Sequence, residues 1–211
     1  MESLKGNTPG ASKPEHVSTK QQRIAKLAKQ SSEMGFTSLA YHIDLKWLLR
    51  AHQLTRQDGA VGVDEQTASA YGSRLYDNLE LLLDRAKSGL YQAPPVRRVH
   101  IPKGKGRETR PIGIPTFEDK ILQRAVVMAL EPIYEQDFLD CSYGFRPGRS
   151  AHGALDALWQ QMMATGGGWL LEVDIRRFLE TSSYYTPAFL VVAKRSGWLS
   201  IALMRRPLRL P

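Results

Sequence analysis

With a single cysteine, Cys141, in 211 residues, the chain can form no internal disulfide. Neither a second cysteine nor a histidine cluster is present to build a structural zinc site, so Cys141 reads as a small, partly buried residue. No apolar run approaches the roughly eighteen residues of a membrane span, and the start, Met1-Glu-Ser-Leu-Lys5, lacks the basic-then-apolar pattern of a secretory signal. The expectation is a soluble, cytoplasmic protein without membrane contact. Acidic residues run out near the end: from Thr181 onward there is no Asp, Glu, Asn, Gln or His. A further absence bears on chemistry. Residues 169–174 read as an apolar strand delivering Asp174, and the second carboxylate that metal-assisted phosphoryl transfer would require does not follow.

What is present is ordinary globular composition, 42% hydrophobic and 24% charged, enough for a sizeable core. The net charge is +8, but its distribution matters more than its size. Residues 1–180 hold 24 basic and 21 acidic side chains, whereas residues 181–211 hold five basic and none acidic. Within the body, Arg97, Arg98, Lys103, Lys105, Arg107 and Arg110 crowd together against one acid, Glu108.

Residues up to about Ser18 read as a flexible arm, and Ile24, Leu27 and Ala28 hint at a short basic helix. Leu39, Ile43, Trp47 or Leu48, and Ala51 predict one amphipathic helix from Thr37 to about Leu54. After a glycine-containing loop, Asp64 or Thr67 is placed to cap the next helix, whose stripe of Leu75, Leu79, Leu82, Leu83 and Ala86 ends before Gly89. Val99 and Ile101, then Ile112 and Ile114, alternate as in a hairpin with a basic glycine tip. Thr116, three residues before Asp119, caps a long helix carrying Pro132, which is expected to bend it. Ser150 caps another helix, and Gly166-Gly-Gly168 ends it. No internal repeat is visible.

Three features could carry chemistry. Asp is disfavoured in strand interiors, so Asp174 faces a site, a metal or a basic partner, or else sits in a structural ion pair or at an exposed strand end. Tyr143-Gly-Phe-Arg-Pro-Gly-Arg-Ser150 could seat a phosphate between Arg146 and Arg149, or could be a rigid turn with solvated arginines. The cations of residues 97–110 are either phosphate contacts or a solvated charge run.

Several ordered blocks carry a resemblance. Ile101-Pro-Lys-Gly-Lys-Gly, Arg110-Pro-Ile-Gly-Ile-Pro-Thr-Phe-Glu-Asp-Lys, Leu130-Glu-Pro-Ile-Tyr-Glu, Ser142-Tyr-Gly-Phe-Arg-Pro-Gly-Arg-Ser-Ala-His and Val173-Asp-Ile-Arg-Arg-Phe resemble the reverse transcriptases encoded by bacterial group II introns. Gly62-Val-Asp64 resembles that family's entry segment, so the likeness runs from about residue 40 to about 180. It implies an α+β fold, the fingers and first part of the palm of a right-hand polymerase. It implies that Asp174 is the first catalytic aspartate, holding Mg2+ together with the Ile175 carbonyl. Lys103 and Arg110 would approach the incoming deoxynucleotide triphosphate, and Arg146 and Arg149 would line the template pocket. Arg97, Arg98, Lys105 and Arg107 complete the cations assigned to RNA. The implied partners are group II intron RNA, template–primer and deoxynucleotides; the implied activity is RNA-directed DNA synthesis with splicing assistance.

The sequence departs from that pattern after Asp174. Leu179 stands where an aromatic ring normally meets the nucleotide sugar, Glu180 stands where an aspartate is usual, and the Tyr-x-Asp-Asp segment is absent. Residues 181–211 look like a shifted reading frame, the alternative being a genuine basic tail. The expected organisation is a basic arm over 1–35, fingers and partial palm over 36–180, and an aberrant tail over 181–211. Residues 169–173, a central strand without partners, would leave an aggregation-prone edge. The expected function is that of a truncated reverse transcriptase inactive by itself, with a non-catalytic RNA-binding remnant as the alternative.

Overall fold

A computed structural model describes residues 16–30, 35–102, 109–168, 170 and 172. Among them the chain forms α1 (Val17–Gln30), α2 (Leu39–His42), α3 (Leu45–Leu54), α4 (Ala68–Gly72), α5 (Leu75–Lys87), β1 (Arg97–Pro102), β2 (Thr109–Ile114), α6 (Phe117–Asp137) and α7 (Ala151–Ala164). The mixture of helices and one small antiparallel sheet fits the α+β expectation at the level of class. The strand read over 169–174 lies outside the described residues except for Leu170 and Glu172, which belong to no strand.

The helices converge on α6. It packs against α1, α3 and α4, while α5 packs on α3 and α4. Ile24, Trp47, Leu48, Leu79, Leu82, Ile121 and Ala125 are wholly buried between them. The hint of a helix around Ile24 is thus realised as α1, and Ile24 makes it part of the core. Two side chains reach into the α6 backbone. The Trp47 indole N–H donates to the Ala125 carbonyl at 3.0 Å. The Gln21 amide donates to the Met128 carbonyl at 3.0 Å. That second bond has a specific cause. Pro132 has no N–H, so the Met128 carbonyl four residues earlier loses its helical donor, and Gln21 supplies another. With this substitute, α6 runs on through Pro132 to Asp137.

The single helix expected over residues 37–54 is two. Asp44 adopts extended backbone and accepts from the Trp47 N–H at 2.9 Å, starting α3 afresh. Its other oxygen takes the Lys20 ammonium at 2.5 Å, tying α1 to the α2–α3 corner. Of the two candidate caps for the next helix, Thr67 is the one used, accepting from Ala70 N–H at 3.1 Å. Thr116 caps α6 and Ser150 caps α7 as expected. The loop before α4 presses on the start of α6: a Cβ on Gly62 would lie 2.7 Å from Thr116 Cα. Cys141 is exposed, contrary to expectation, because it sits in the turn after α6 rather than beneath it.

Two outcomes follow for urea denaturation. Gln21→Ala should cost about 1 kcal/mol, and the cost should largely vanish in a Pro132→Ala background, where residue 132 regains its N–H. For Asp44, burial disfavours the charge, but the Lys20 hydrogen bond, the Trp47 N–H and the Lys20 charge outweigh it and hold the carboxyl below its usual 3.8. The folded pKa is depressed, so the contribution is full above about pH 3.8 and is lost as pH falls through the lower folded value. The Asp44→Asn variant should show a shallower acid loss of stability as pH falls below 3.8 than the parent chain.

Candidate nucleic-acid interface

The hairpin expected from alternation forms with Val99 opposite Ile112 and Ile101 opposite Arg110. That register puts Arg97, Val99, Ile101, Arg110, Ile112 and Ile114 on one face, and Arg98 and His100 on the other. Every residue of β1 is exposed, so both faces meet solvent. A lone two-stranded hairpin is marginal in water, and this one is steadied where it joins α6. Ile112 and Ile114 are half-buried, and Gly113 lets Val96 approach so closely that a Cβ would lie 2.8 Å from its methyl. Arg97, Arg98 and Arg110 have no ion-pair partner among the described residues. Lys103, Lys105 and Arg107, at the tip, lie outside those residues, as do Asp174, Ile175 and Leu179.

A second basic surface lies on the short basic helix read around Ile24, within the basic arm, although its individual cations are not named from the sequence. In α1, Arg23, Lys26 and Lys29 are exposed on the side opposite Ile24 and Ala28, and the helix has no acidic residue. The signal was available: three cations three residues apart, out of phase with two apolar residues four apart. Lys20 belongs to the Asp44 pair and is not part of this stripe.

The arginine turn is built differently from a phosphate seat. Arg146 has a side chain only 8% exposed. Its guanidinium donates to both Glu135 carboxylate oxygens, at 3.2 and 3.0 Å, and to the carbonyls of Leu139 and Ser142, each at 2.9 Å. It also stacks over the Phe138 ring at 4.8 Å. Four of five N–H groups are thereby engaged, which makes Arg146 the clamp that fastens the turn to α6 instead of a free fork. Arg149 donates to the Asp140 carbonyl at 3.0 Å and lies over the Tyr143 ring at 4.9 Å, partly exposed. The surroundings are acidic. The end of α6 carries Glu131, Glu135 and Asp137, and burial, then the Glu135 charge, push the Glu131 carboxyl above its usual range. Phosphate therefore finds a better field at the hairpin and α1 than here.

The block Thr116–Lys120 also has a structural use. Asp119 accepts from the Tyr91 hydroxyl at 3.0 Å and from the Gln123 amide at 2.7 Å, while Glu118 pairs with Arg85 at 2.6 Å. Burial and the neighbouring Asp119 raise the Tyr91 hydroxyl, which stays a donor. Among the described residues no group of three His, Cys, Asp or Glu could hold a metal ion, and no helix is long and apolar enough to cross a membrane.

The two kinds of arginine separate experimentally. Arg146→Met should lower stability by about 2 kcal/mol, since it strands a half-buried Glu135 carboxylate and two carbonyls, whereas Arg98→Ala should change it by less than about 0.5. Equal effects in urea titrations would contradict the assignment of Arg146 as a clamp.

No family model matches the chain. Protein YkfC of Escherichia coli K12 is 42% identical over 142 residues, covering 64% of this chain and 37% of the relative. The group II intron-encoded protein LtrA of Lactococcus lactis subsp. cremoris is 32% identical over 169 residues, 78% of this chain and 27% of the relative. The mitochondrial nuclear intron maturase 2 of Arabidopsis thaliana is 39% identical over 64 residues, 30% of this chain and 8% of the relative. The chain thus spans between a quarter and two fifths of the length of the first two relatives. Its basic hairpin, its capped α6 and the clamped turn lie on the blocks that carry the family resemblance, and by homology the chain is similar to group II intron-encoded and other intron-encoded proteins.

Proposed function

We propose that this chain is the fingers portion of a group II intron reverse transcriptase and that it binds intron RNA through the β1–β2 hairpin and the outer face of α1. The observation that carries this reading is the set of exposed cations without an ion-pair partner among the described residues: Arg97, Arg98 and Arg110 on the hairpin and Arg23, Lys26 and Lys29 on α1. Six exposed cations that no described residue pairs are available to phosphates, and phosphate contacts dominate nucleic-acid affinity. Relatives named for introns supply the class of RNA.

The catalytic part of the reading rests on the family resemblance. Asp174 and the Ile175 carbonyl would hold Mg2+, which would supply charge stabilisation for phosphoryl transfer. Lys103 and Arg110 would meet the triphosphate, and Leu179 would lie against the sugar of a deoxynucleotide paired to template–primer. A two-metal site needs further carboxylates, and metal-assisted stabilisation is worth several kcal/mol at a factor of ten per ~1.4 kcal/mol. The 211 residues alone are therefore proposed to bind RNA without copying it.

Binding of a group II intron RNA should weaken with salt at a log–log slope of about −3 to −4. Replacing Arg97, Arg98 and Arg110 together by Gln should make that slope shallower by about 2 and leave urea stability unchanged. An unaltered slope would contradict the hairpin as the binding surface. In primer extension with magnesium, the chain and its Asp174→Ala variant should incorporate equally little; incorporation that depends on Asp174 would show a working site.

A further inference from the structure

An ionisable ring is built into the joint between α3 and α6. His52, in the last turn of α3, lies edge-to-face on Phe117, the first residue of α6, with ring centroids 5.9 Å apart and planes at 88°. Phe117 is itself buried, and its ring meets Tyr71 of α4 at 5.5 Å. The His52 carbonyl holds the chain that leaves α3: it accepts from the Thr55 N–H at 3.1 Å and from the Gln57 amide at 2.9 Å. That chain runs on to Gly62, which presses on Thr116, the cap through which β2 enters α6. The joint is therefore also the root of the hairpin. Within it, the His52 Nε2 is buried and has no hydrogen-bond partner among the described residues.

We propose that His52 is an acid-sensitive latch: a proton taken from water at Nε2 loosens the joint of α3 with α6 and frees the root of the hairpin. A neutral imidazole carries one N–H and one bare nitrogen. With the proton on Nδ1, the enclosed Nε2 is an acceptor that has lost only its water. Once protonated it is a charged donor held against Phe117, and the joint has to open for that N–H to reach water. Burial accordingly holds the His52 ring below its usual 6.5, although the C-terminal end of α3 would favour a cation. The charged groups on the surrounding elements are engaged elsewhere. Glu118 pairs with Arg85, Asp119 accepts from Tyr91 and Gln123, and Lys120 donates to the Ala60 carbonyl. In the loop Arg56 pairs with Asp58, and on α3 Arg50 donates to Gln53. Burial, then the Glu118 charge, raise the Tyr71 hydroxyl, which stays protonated and neutral. The folded pKa of His52 is the lower one, so its contribution is full above about pH 6.5 and is lost as pH falls from there through the folded value. This latch is independent of RNA binding by the hairpin and α1.

The test is hydrogen exchange of the full chain, corrected for intrinsic rates, as pH falls below 6.5. The amides of Thr55, Asp119 and Lys120, whose hydrogen bonds belong to the joint, should lose protection, while those of Ala125 and Met128, farther along α6, should keep theirs. The variant His52→Phe keeps a ring against Phe117 but cannot titrate, so its Thr55, Asp119 and Lys120 amides should stay protected. His16, His42, His100 and His152 are common to both chains, and the difference between the two isolates His52. Equal losses in parent and variant would overturn the proposal. Should the variant fail to fold, the parent chain decides alone: the His52 ring signals should titrate with a midpoint below 6.5, and a midpoint at or above 6.5 would overturn the latch.

Discussion

The bond from the Trp47 indole to the Ala125 carbonyl, 3.0 Å long and buried, is where three levels of this structure meet. It exists because Asp44 restarts the chain as α3 and so sets the phase that points Trp47 at α6. It is dry because Ile24, Leu48, Leu79 and Ile121 close around it. A buried polar hydrogen left without that acceptor would cost about 1–3 kcal/mol, so the relation of α3 to α6 is fixed by more than apolar contact. Gln21 does the same for α1, using the carbonyl that Pro132 leaves without a donor. α6 thus serves as a rail on which two helices are registered by hydrogen bonds to its backbone.

From that rail the functional surfaces project. The strand β2 leads through Pro115 and the Thr116 cap directly into α6, so the hairpin is aimed by the start of the best-anchored helix. α1 lies against the same helix and shows its cations on the side away from it. At the other end, Arg146 fastens the turn that leads to α7. The core therefore arranges its cations in two ways: those held internally, Arg146 and Lys20, give the parts their positions, and those without an ion-pair partner among the described residues give the surface its charge. Arg85 is intermediate, paired with Glu118 yet half-exposed beside Tyr91.

Local features were legible in the sequence. The caps at Thr116 and Ser150 and the β1–β2 alternation depend on residues within a few positions of one another, and spacing reveals them. The division at Asp44 was not legible, because the apolar period of Leu39, Ile43, Trp47 and Ala51 runs unbroken through it. Nor were the partners of Gln21 and Trp47, which lie 107 and 78 residues away. Arg146 shows the limit most clearly. A guanidinium beside a proline–glycine turn serves equally well as a phosphate fork or as an internal clamp, and only the position of Glu135 on α6 decides between them. The α1 cations were legible but masked by the weak apolar signal of a helix that contributes two buried residues.

The most direct test of this account is a hydrogen-exchange footprint of the full chain with and without intron RNA. Bound RNA should slow exchange in β1, β2 and α1 while leaving the turn at residues 139–150 unchanged. Protection of that turn with an unaltered hairpin would contradict the division between structural and surface cations on which the proposed function rests.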